Sequence, residues 1–499
     1  MQHSAAFFSV RHDCGNLTGI ATAREMVMRL IIEARIVDGD DDTSRADNAV
    51  LAVIERPDHS LSQLGLTLSE GRSLLAEVQR ALVMQQVDSW LAGQMHCRFC
   101  AAALQHKESR ARVVRTVYGK VTVPSPRLWS CNCHGAPKRT FSPLSEALPE
   151  HTTPELNYLQ VKWAAHLPFR AATDLLKELL PLDQGISFSG TRNRIHVVGK
   201  LLDAEIERDI ARQVVTEPSD SESEHVGAVS VDSAWLRHTD SIRGLGRHVN
   251  LVVGRATFVD GEPRVYAYVH KEVASAAARL DQFLSRCGVA PNQRVTVISD
   301  DAGEFSKAVK GSQLARGRIL DWFHIAMKFQ AALNSISGEK TIDSLGHESM
   351  ERDIRGAKWL VWHGKGSKAV ARIKALDDRL LCRDGYEFSR LWWNLRTVSC
   401  YIRNNTDSLV NYGARYRKGL PISSSIAESA VNLVVSQRMA KKRQMRWTDE
   451  GAHCLAQVRV AVLNGELSPG RLQTLIATRP TSVASRQSCA NGSTFEQQG

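Results

Sequence analysis

Four cysteines stand in two tight pairs, Cys97 and Cys100 in HCRFC and Cys131 and Cys133 in CNC. Knuckles of this kind supply the soft ligands of a tetrahedral zinc site. Three carboxylates further on supply hard ligands: Asp232 in VSVDSAW, Asp300 in VTVISDD and Glu428 in SSSIAES. Magnesium and manganese take oxygen ligands and keep several waters, so two or three carboxylates at one end of a sheet suffice for them. A pair of such ions serves in-line displacement at phosphorus by activating the attacking oxygen and stabilising the leaving one. A stapled cysteine module ahead of a scattered acidic triad predicts metal-dependent work on a nucleic-acid backbone.

The balance of charge agrees. Lys plus Arg outnumber Asp plus Glu by 64 to 53, a formal +11, which favours a polyanionic partner. The chain has 499 residues, enough for about three domains. Hydrophobic residues make up 43%, so ordinary packed cores are expected. No apolar run is long enough to span a bilayer. The opening MQHSAAFFSVRHDCGN lacks a secretory pattern. The expected location is the cytoplasm, with nucleoid association, where thiols stay reduced. Cys14, Cys287, Cys382, Cys400 and Cys454 are isolated, and most read as small buried hydrophobes.

The elements that must position these residues divide the chain. Residues 1–94 read as an N-terminal helical region, because AREMVMRLIIEARIV and LSEGRSLLAEVQRALVMQQVDSWLAG repeat apolar residues at three-four spacing. Met26, Met28, Leu30 and Ile31 read as core. Residues 95–145 form the zinc-ribbon module, whose knuckles are bridged by a hairpin turning at Tyr118–Gly119. Residues 146–215 are helical, with a candidate helix-turn-helix using Gly185 as its turn. Residues 216–227 are an acidic linker. Residues 228–324 read as three antiparallel strands, a helix, a strand, a helix and a strand, the layout of an RNase H-like α/β catalytic core. Residues 325–420 read as helical, 421–465 as closing helices of the core, and 466–499 as a tail, largely disordered after about Arg479.

Each carboxylate also has a plainer reading. Asp232 could begin a turn, although an acidic group in an apolar strand calls for a partner or a metal. Asp301 could cap the helix that follows Asp300. Ser425 and Glu428 fit a capping box, with Glu428 at its third helical position. Asp321 in ILDWFH is a further candidate ligand, and His324 could orient substrate or cap its helix. His96 and His134 flank the cysteine pairs and could replace a cysteine.

Cations cluster in three places. Lys107, Arg110, Arg112, Arg115, Lys120 and Arg127 make the hairpin basic, which fits phosphate contacts, although a solvated face explains such charges too. Arg192 and Arg194 lie on the second helix of the candidate helix-turn-helix. RMAKKRQMRW carries Arg438, Lys441, Lys442, Arg443 and Arg446, and it continues the Glu428 helix, within reach of whatever the triad binds.

These stretches carry a family resemblance. HCRFC, VRTVYGKVTVPSPR, VSVDSAW, VISDDAGEF, RILDWFHIAMKFQ, AKWLVWHGK and NYGARYRKGLPISSSIAESAVNLVVSQRMAKKRQMRWTDEGAHCLAQVR together resemble bacterial insertion-sequence transposases of the DDE type, the ISKra-four family, over roughly residues 95–465. The resemblance implies a transposase that binds the terminal inverted repeats of its element and catalyses DNA cleavage and strand transfer. Asp232, Asp300 and Glu428 then fall on the catalytic triad, holding two Mg2+ or Mn2+ ions beside a structural Zn2+ elsewhere. The resemblance also implies that residues 325–420 are a large helical insertion in the core, between Asp300 and Glu428. Double-stranded DNA is the implied partner, with a homo-oligomer on DNA and no membrane. Two departures stand out: Asp301 where the family favours Gly, and Arg443 where Gln is common. A nuclease or resolvase that only cuts, or a zinc-containing DNA-binding regulator, are the alternatives that share these features.

Overall fold

Strands, not a helix, are the elements described before residue 57. The computed structural model describes residues 5–12, 28–37, 49–56, 64–133, 135, 137–182, 185–212, 226–240, 247–300, 303–338, 344–423, 425–439 and 445–478. These divide into two units, Met1–Arg194 and Ile195–Gly499.

In the first unit, β1 (Ala5–His12), β2 (Met28–Val37) and β3 (Ala49–Arg56) form an antiparallel sheet in that order. This corrects the helix expected over MRLIIEARIV. Its Met28, Leu30, Ile32, Ala34 and Ile36 alternate with Arg29, Ile31, Glu33 and Arg35, which fits a strand as well as the three-four spacing fits a helix. Two flanking strands make the choice. Met28 is 55% exposed and so is not core; Met26 lies outside the described residues. The helix expected next is present as α1 (Leu68–Ala92), begun by a capping box between Thr67 and Glu70. Arg56 of β3 pairs with Glu70 at 2.7 Å, tying sheet to helix.

The hairpin of β4 (His106–Thr116) and β5 (Gly119–Trp129) turns at Gly119, whose φ of +117° suits glycine alone. A short β6 (Thr140–Phe141) pairs with β5. Val114, Val121 and Val123 of the hairpin pack against Val87 and Leu91 of α1. Helices α2 (Pro143–Ala147), α3 (Pro154–His166) and α4 (Phe169–Leu179) follow, and the boundary between the units falls within α5 (Phe188–Arg212). Residues 180–187 separate α4 from α5, about twice the three- or four-residue turn of a helix-turn-helix.

The second unit is mixed α/β. Its sheet contains β7 (Val226–His238), β8 (His248–Phe258), β9 (Arg264–Val269), β10 (Val295–Ser299) and β11 (Ala315–Leu320). Their order is β11-β10-β7-β8-β9, and β12 (Arg446–Trp447) pairs with the end of β7. The β7-β8-β9 pairs are antiparallel, whereas β10 and β11 run parallel to β7. β7 starts at Val226, so the expected linker loses its last residues to the strand.

Each face of the sheet is covered. Val229, Val231, Val252 and Val297 pack with α6 (Ala276–Arg286) and α7 (Gly303–Gly311). Ala228, Ile298 and Leu320 pack with α8 (Trp322–Ile336), α9 (Ser344–Trp362), α10 (Gly366–Leu380) and α11 (Arg390–Asn404). These helices, with α12 (Tyr412–Arg417), occupy the span expected to be a helical insertion. α13 (Ser425–Val431) continues through a π-helical turn (Asn432–Ser436) into α14 (Gln437–Met439). α15 (Asp449–Leu463) and α16 (Pro469–Ala477) complete the unit. α16 buries Leu472 and Leu475 and precedes the stretch after Arg479 expected to be disordered, which lies outside the described residues. Among the isolated cysteines, Cys287 and Cys454 are buried, but Cys382 and Cys400 are exposed. Among the described residues, no helix is long and apolar enough to cross a membrane.

Candidate functional site

The cysteine cluster forms from two turns brought together by strand pairing. Cys97 N–H donates to Ala102 O, and Ala101 N–H returns to Cys97 O, closing the first knuckle. Ala101 takes a left-handed φ of 57°, a costly conformation for a residue with a Cβ. Beside the second knuckle, Ser130 N–H donates to Arg139 O, next to the β5-β6 pair. Cys97 Sγ lies 3.7 Å from Cys133 Sγ, and Cys100 Sγ lies 3.5 Å from Cys131 Sγ. Tetrahedral bonds of about 2.3 Å put sulfurs roughly 3.8 Å apart, so the four thiols fit a metal ion such as zinc. Backbone N–H groups of Cys100 and Phe99 lower the Cys97 thiol to about 6, whereas burial and the neighbouring thiols push Cys133 up to about 12, so without a cation the cluster favours one thiolate rather than four. Among the described residues, these four form the group of Cys, His, Asp or Glu whose ligand atoms all lie within 4.8 Å; Asp232, Asp300 and Glu428 do not meet that spacing.

The two aspartates are brought side by side by strand register. Ser299 of β10 pairs with Val231 of β7 in parallel, so the next residues, Asp300 and Asp232, are neighbours across the pair. Strand alternation puts Asp232 on the face of Ala228, and Asp300 on the face of Ile298. Both of those residues pack against the α8–α11 helices, so the aspartates share one face. Asp232 is half-buried and accepts the Ser233 N–H at 2.7 Å. Its carboxyl is raised above the usual value by burial first, with Asp300 and Glu428 adding repulsion and His324 opposing it.

Glu428 reaches this face on α13, which lies against β7 and β8. Arg255 of β8 donates to Ser429 Oγ at 3.1 Å. Arg255 pairs across the sheet with Ser230, two residues before Asp232 on the same face. Glu428 is exposed, not locked in the core. Ser425, its expected capping-box partner, has a side chain outside the described set, as does Asp301. The π-helical turn that begins four residues after Glu428 leaves a carbonyl to be satisfied, and the buried Arg459 guanidinium donates to Leu433 O there. The bulge thus fixes the path of the helix that carries Glu428.

Asp321 is fully buried at the end of β11 and serves α8 as its N-cap, accepting the Phe323 N–H at 2.8 Å. Its second oxygen lies 2.8 Å from His324 Nδ1. That bond draws His324 above the ordinary imidazole value against opposing burial, with Asp300 and Asp232 adding to the pull. The candidate ligand Asp321 is therefore a holder of His324, and His324 is the group facing the aspartates. Arg318 donates to Asp300 O at 2.6 Å and to Ser408 Oγ at 3.2 Å, pinning the end of β10 to the segment between α11 and α12.

The expected DNA-contacting cations separate sharply. Lys120, Arg192 and Arg446 are exposed, and Arg115 is half-buried. Arg112 instead donates to Ser145 Oγ and Leu148 O. Arg194 pairs with Glu150 at 3.2 Å. Arg438 is 1% exposed and lies over the Trp447 ring, so it belongs to the core rather than to a basic surface. A run of charge in sequence says nothing about which member turns inward. Lys441, Lys442 and Arg443 lie outside the described residues, as does His134.

Sequence reasoning missed the polar side chains of α15. Val269 N–H donates to His453 Nδ1 at 3.2 Å, so the ring proton sits on Nε2, which donates to Asp203 Oδ1 at 2.8 Å. Gln457 Nε2 donates to Ala267 O at 2.8 Å. Asn464 accepts from Val265 N and donates to Val265 O, both at 2.9 Å. Alternate residues of the edge strand β9 are thereby paired with one helix, which closes the sheet edge.

No protein-family model matches the chain, and no curated protein matches it.

Proposed function

We propose that the chain is a DDE-type transposase, with an RNase H-like catalytic core in its second unit and a zinc ribbon in its first. The observation that carries this reading is the placement of Asp300 beside Asp232 on adjacent parallel strands, with the Glu428 helix on the same face. The strand order, with three antiparallel strands followed by two parallel additions beyond the first, supports an RNase H-like core. The fit to divalent ions rests on the donors. Three carboxylates repel one another at Asp232, and a bound cation relieves that repulsion.

Asp232, Asp300 and Glu428 would hold two Mg2+ or Mn2+ ions, and Cys97, Cys100, Cys131 and Cys133 would hold Zn2+. When bound, the divalent pair supplies Lewis acidity at the scissile phosphate and a nucleophile at neutral pH. Asp321 keeps His324 close to the aspartates, where its raised affinity for a proton balances the local negative charge. Hydrolysis at the element's end breaks the P–O3′ bond and leaves a 3′-hydroxyl. That hydroxyl then attacks a phosphodiester of the target strand in the same kind of displacement. Double-stranded DNA is the partner, and the exposed Lys120, Arg192 and Arg446 are the cations for its phosphates.

The test is a supercoiled plasmid carrying the DNA that flanks this reading frame. Wild type with Mg2+ gives nicked ends and joined products. Asp232→Ala lowers both by on the order of a thousandfold or more while end-binding persists. Strand transfer that survives this substitution contradicts the assignment.

A further inference from the structure

We propose that the exposed rings of Trp359 and Tyr416 form a stacking platform for unpaired bases of a DNA strand at the Asp232 site. The proposal rests on the reading that this site acts on DNA. An aromatic chain starts at the site itself. Trp322 follows Asp321 directly and meets Trp362 edge-on, with centroids 4.7 Å apart, and Tyr412 at 5.1 Å. Trp362 in turn lies 6.0 Å from Tyr416, and 6.4 Å from Trp359 with planes only 13° apart. Trp362 is fixed from behind, because a Cβ on Gly413 would meet its Nε1 at 2.6 Å. The inner rings belong to the helical core. The outer two do not: Trp359 is 62% exposed and Tyr416 66%.

The charge around them selects the occupant. Between Asp353 and Asp377 the chain carries Lys358, Lys365, Lys368 and Lys374, besides Arg355 and Arg372, which pair with Glu351 and Asp353, and it has no Asp or Glu there. Between Asp407 and Glu428 it carries Arg415, Arg417 and Lys418 and again no Asp or Glu. Flat apolar faces bordered by cations suit a strand that offers both π-faces and phosphates. An apolar protein partner would gain little from that border. Duplex DNA hides its base faces, so the occupant is single-stranded or locally unpaired.

The test uses the full zinc-loaded chain without added divalent ions. The probes are a fluorescein-labelled oligo(dT) of about fifteen nucleotides and a duplex of equal length, read by anisotropy. Trp359→Ala with Tyr416→Ala should weaken oligo(dT) binding by about 10- to 100-fold and change duplex binding by about twofold or less, since stacking is lost and phosphate contacts are kept. Trp359→Phe should stay near wild type. Both positions are exposed, so unchanged thermal unfolding verifies the fold. Equal oligo(dT) binding by wild type and the double variant overturns the proposal, as does a wild type that does not bind oligo(dT). So does a double variant that only loses self-association in sedimentation, which would mark the rings as a contact between copies. Metal-dependent nicking with ring-independent binding sinks the platform alone. Ring-dependent binding with no nicking sinks the transposase reading alone.

Discussion

His324 Nδ1 lies 2.8 Å from Asp321 Oδ2, and Asp321 is fully buried while His324 stands beside Asp232 and Asp300. One carboxylate therefore caps a helix and sets the protonation of the histidine nearest the site. The pair converts a structural position into an electrostatic one.

A pH-dependent stability follows from that pair. His324 has a folded pKa raised above its unfolded value near 6.5. Its contribution is complete below that value and fades as pH rises through the folded pKa. Asp321→Asn keeps a cap acceptor but removes the charge. Urea unfolding should show a larger deficit for this variant at pH 6 than at pH 8.5, and NMR titration should show a lower His324 pKa. Asp321→Ala should cost about 1 kcal/mol more through the lost cap. A deficit that does not change with pH contradicts the assignment.

Metal removal should act on the cysteine module. One zinc per chain is expected, released by a strong chelator or below about pH 5–6 as thiolates protonate. Amides of β4 to β6 should then lose hydrogen-exchange protection. Cys100→Ser or Cys131→Ser should do the same without chelator. Metal analysis finding no zinc in freshly purified protein would remove this account of the four thiols.

The edge-closing helix makes a further prediction. Gln457→Ala leaves the Ala267 carbonyl without its donor and should cost about 1–3 kcal/mol. His453→Ala should release the Val269 amide to exchange and leave Asp203 short of a partner. Both variants should aggregate more readily, because β9 becomes an open strand edge. Wild-type exchange at Val269 in His453→Ala would show that α15 does not close that edge.

The legible parts of this protein are those where local pattern and fold agree. The β-branched runs around Asp232 and Asp300 marked strands, and the three-four spacing of LSEGRSLLAEVQRALV marked a helix. The paired cysteines were readable because metal ligation needs their spacing. MRLIIEARIV misled because its apolar residues satisfy three-four spacing as well as alternation, and its neighbours in the sheet decide. Arg438 misled because its burial beside Trp447 is a packing outcome. His453, Gln457 and Asn464 were silent because their partners are backbone groups of a distant strand. Asp321 looked like a ligand because its cap role appears only once the chain turns into α8.

The most direct measurement is equilibrium binding of Mn2+ to the zinc-loaded chain, followed by electron paramagnetic resonance. Wild type should take up about two ions per chain. Asp232→Asn, Asp300→Asn and Glu428→Gln should each weaken that uptake by tenfold or more. If Glu428→Gln binds manganese like wild type while either aspartate variant does not, the three acids do not form one site.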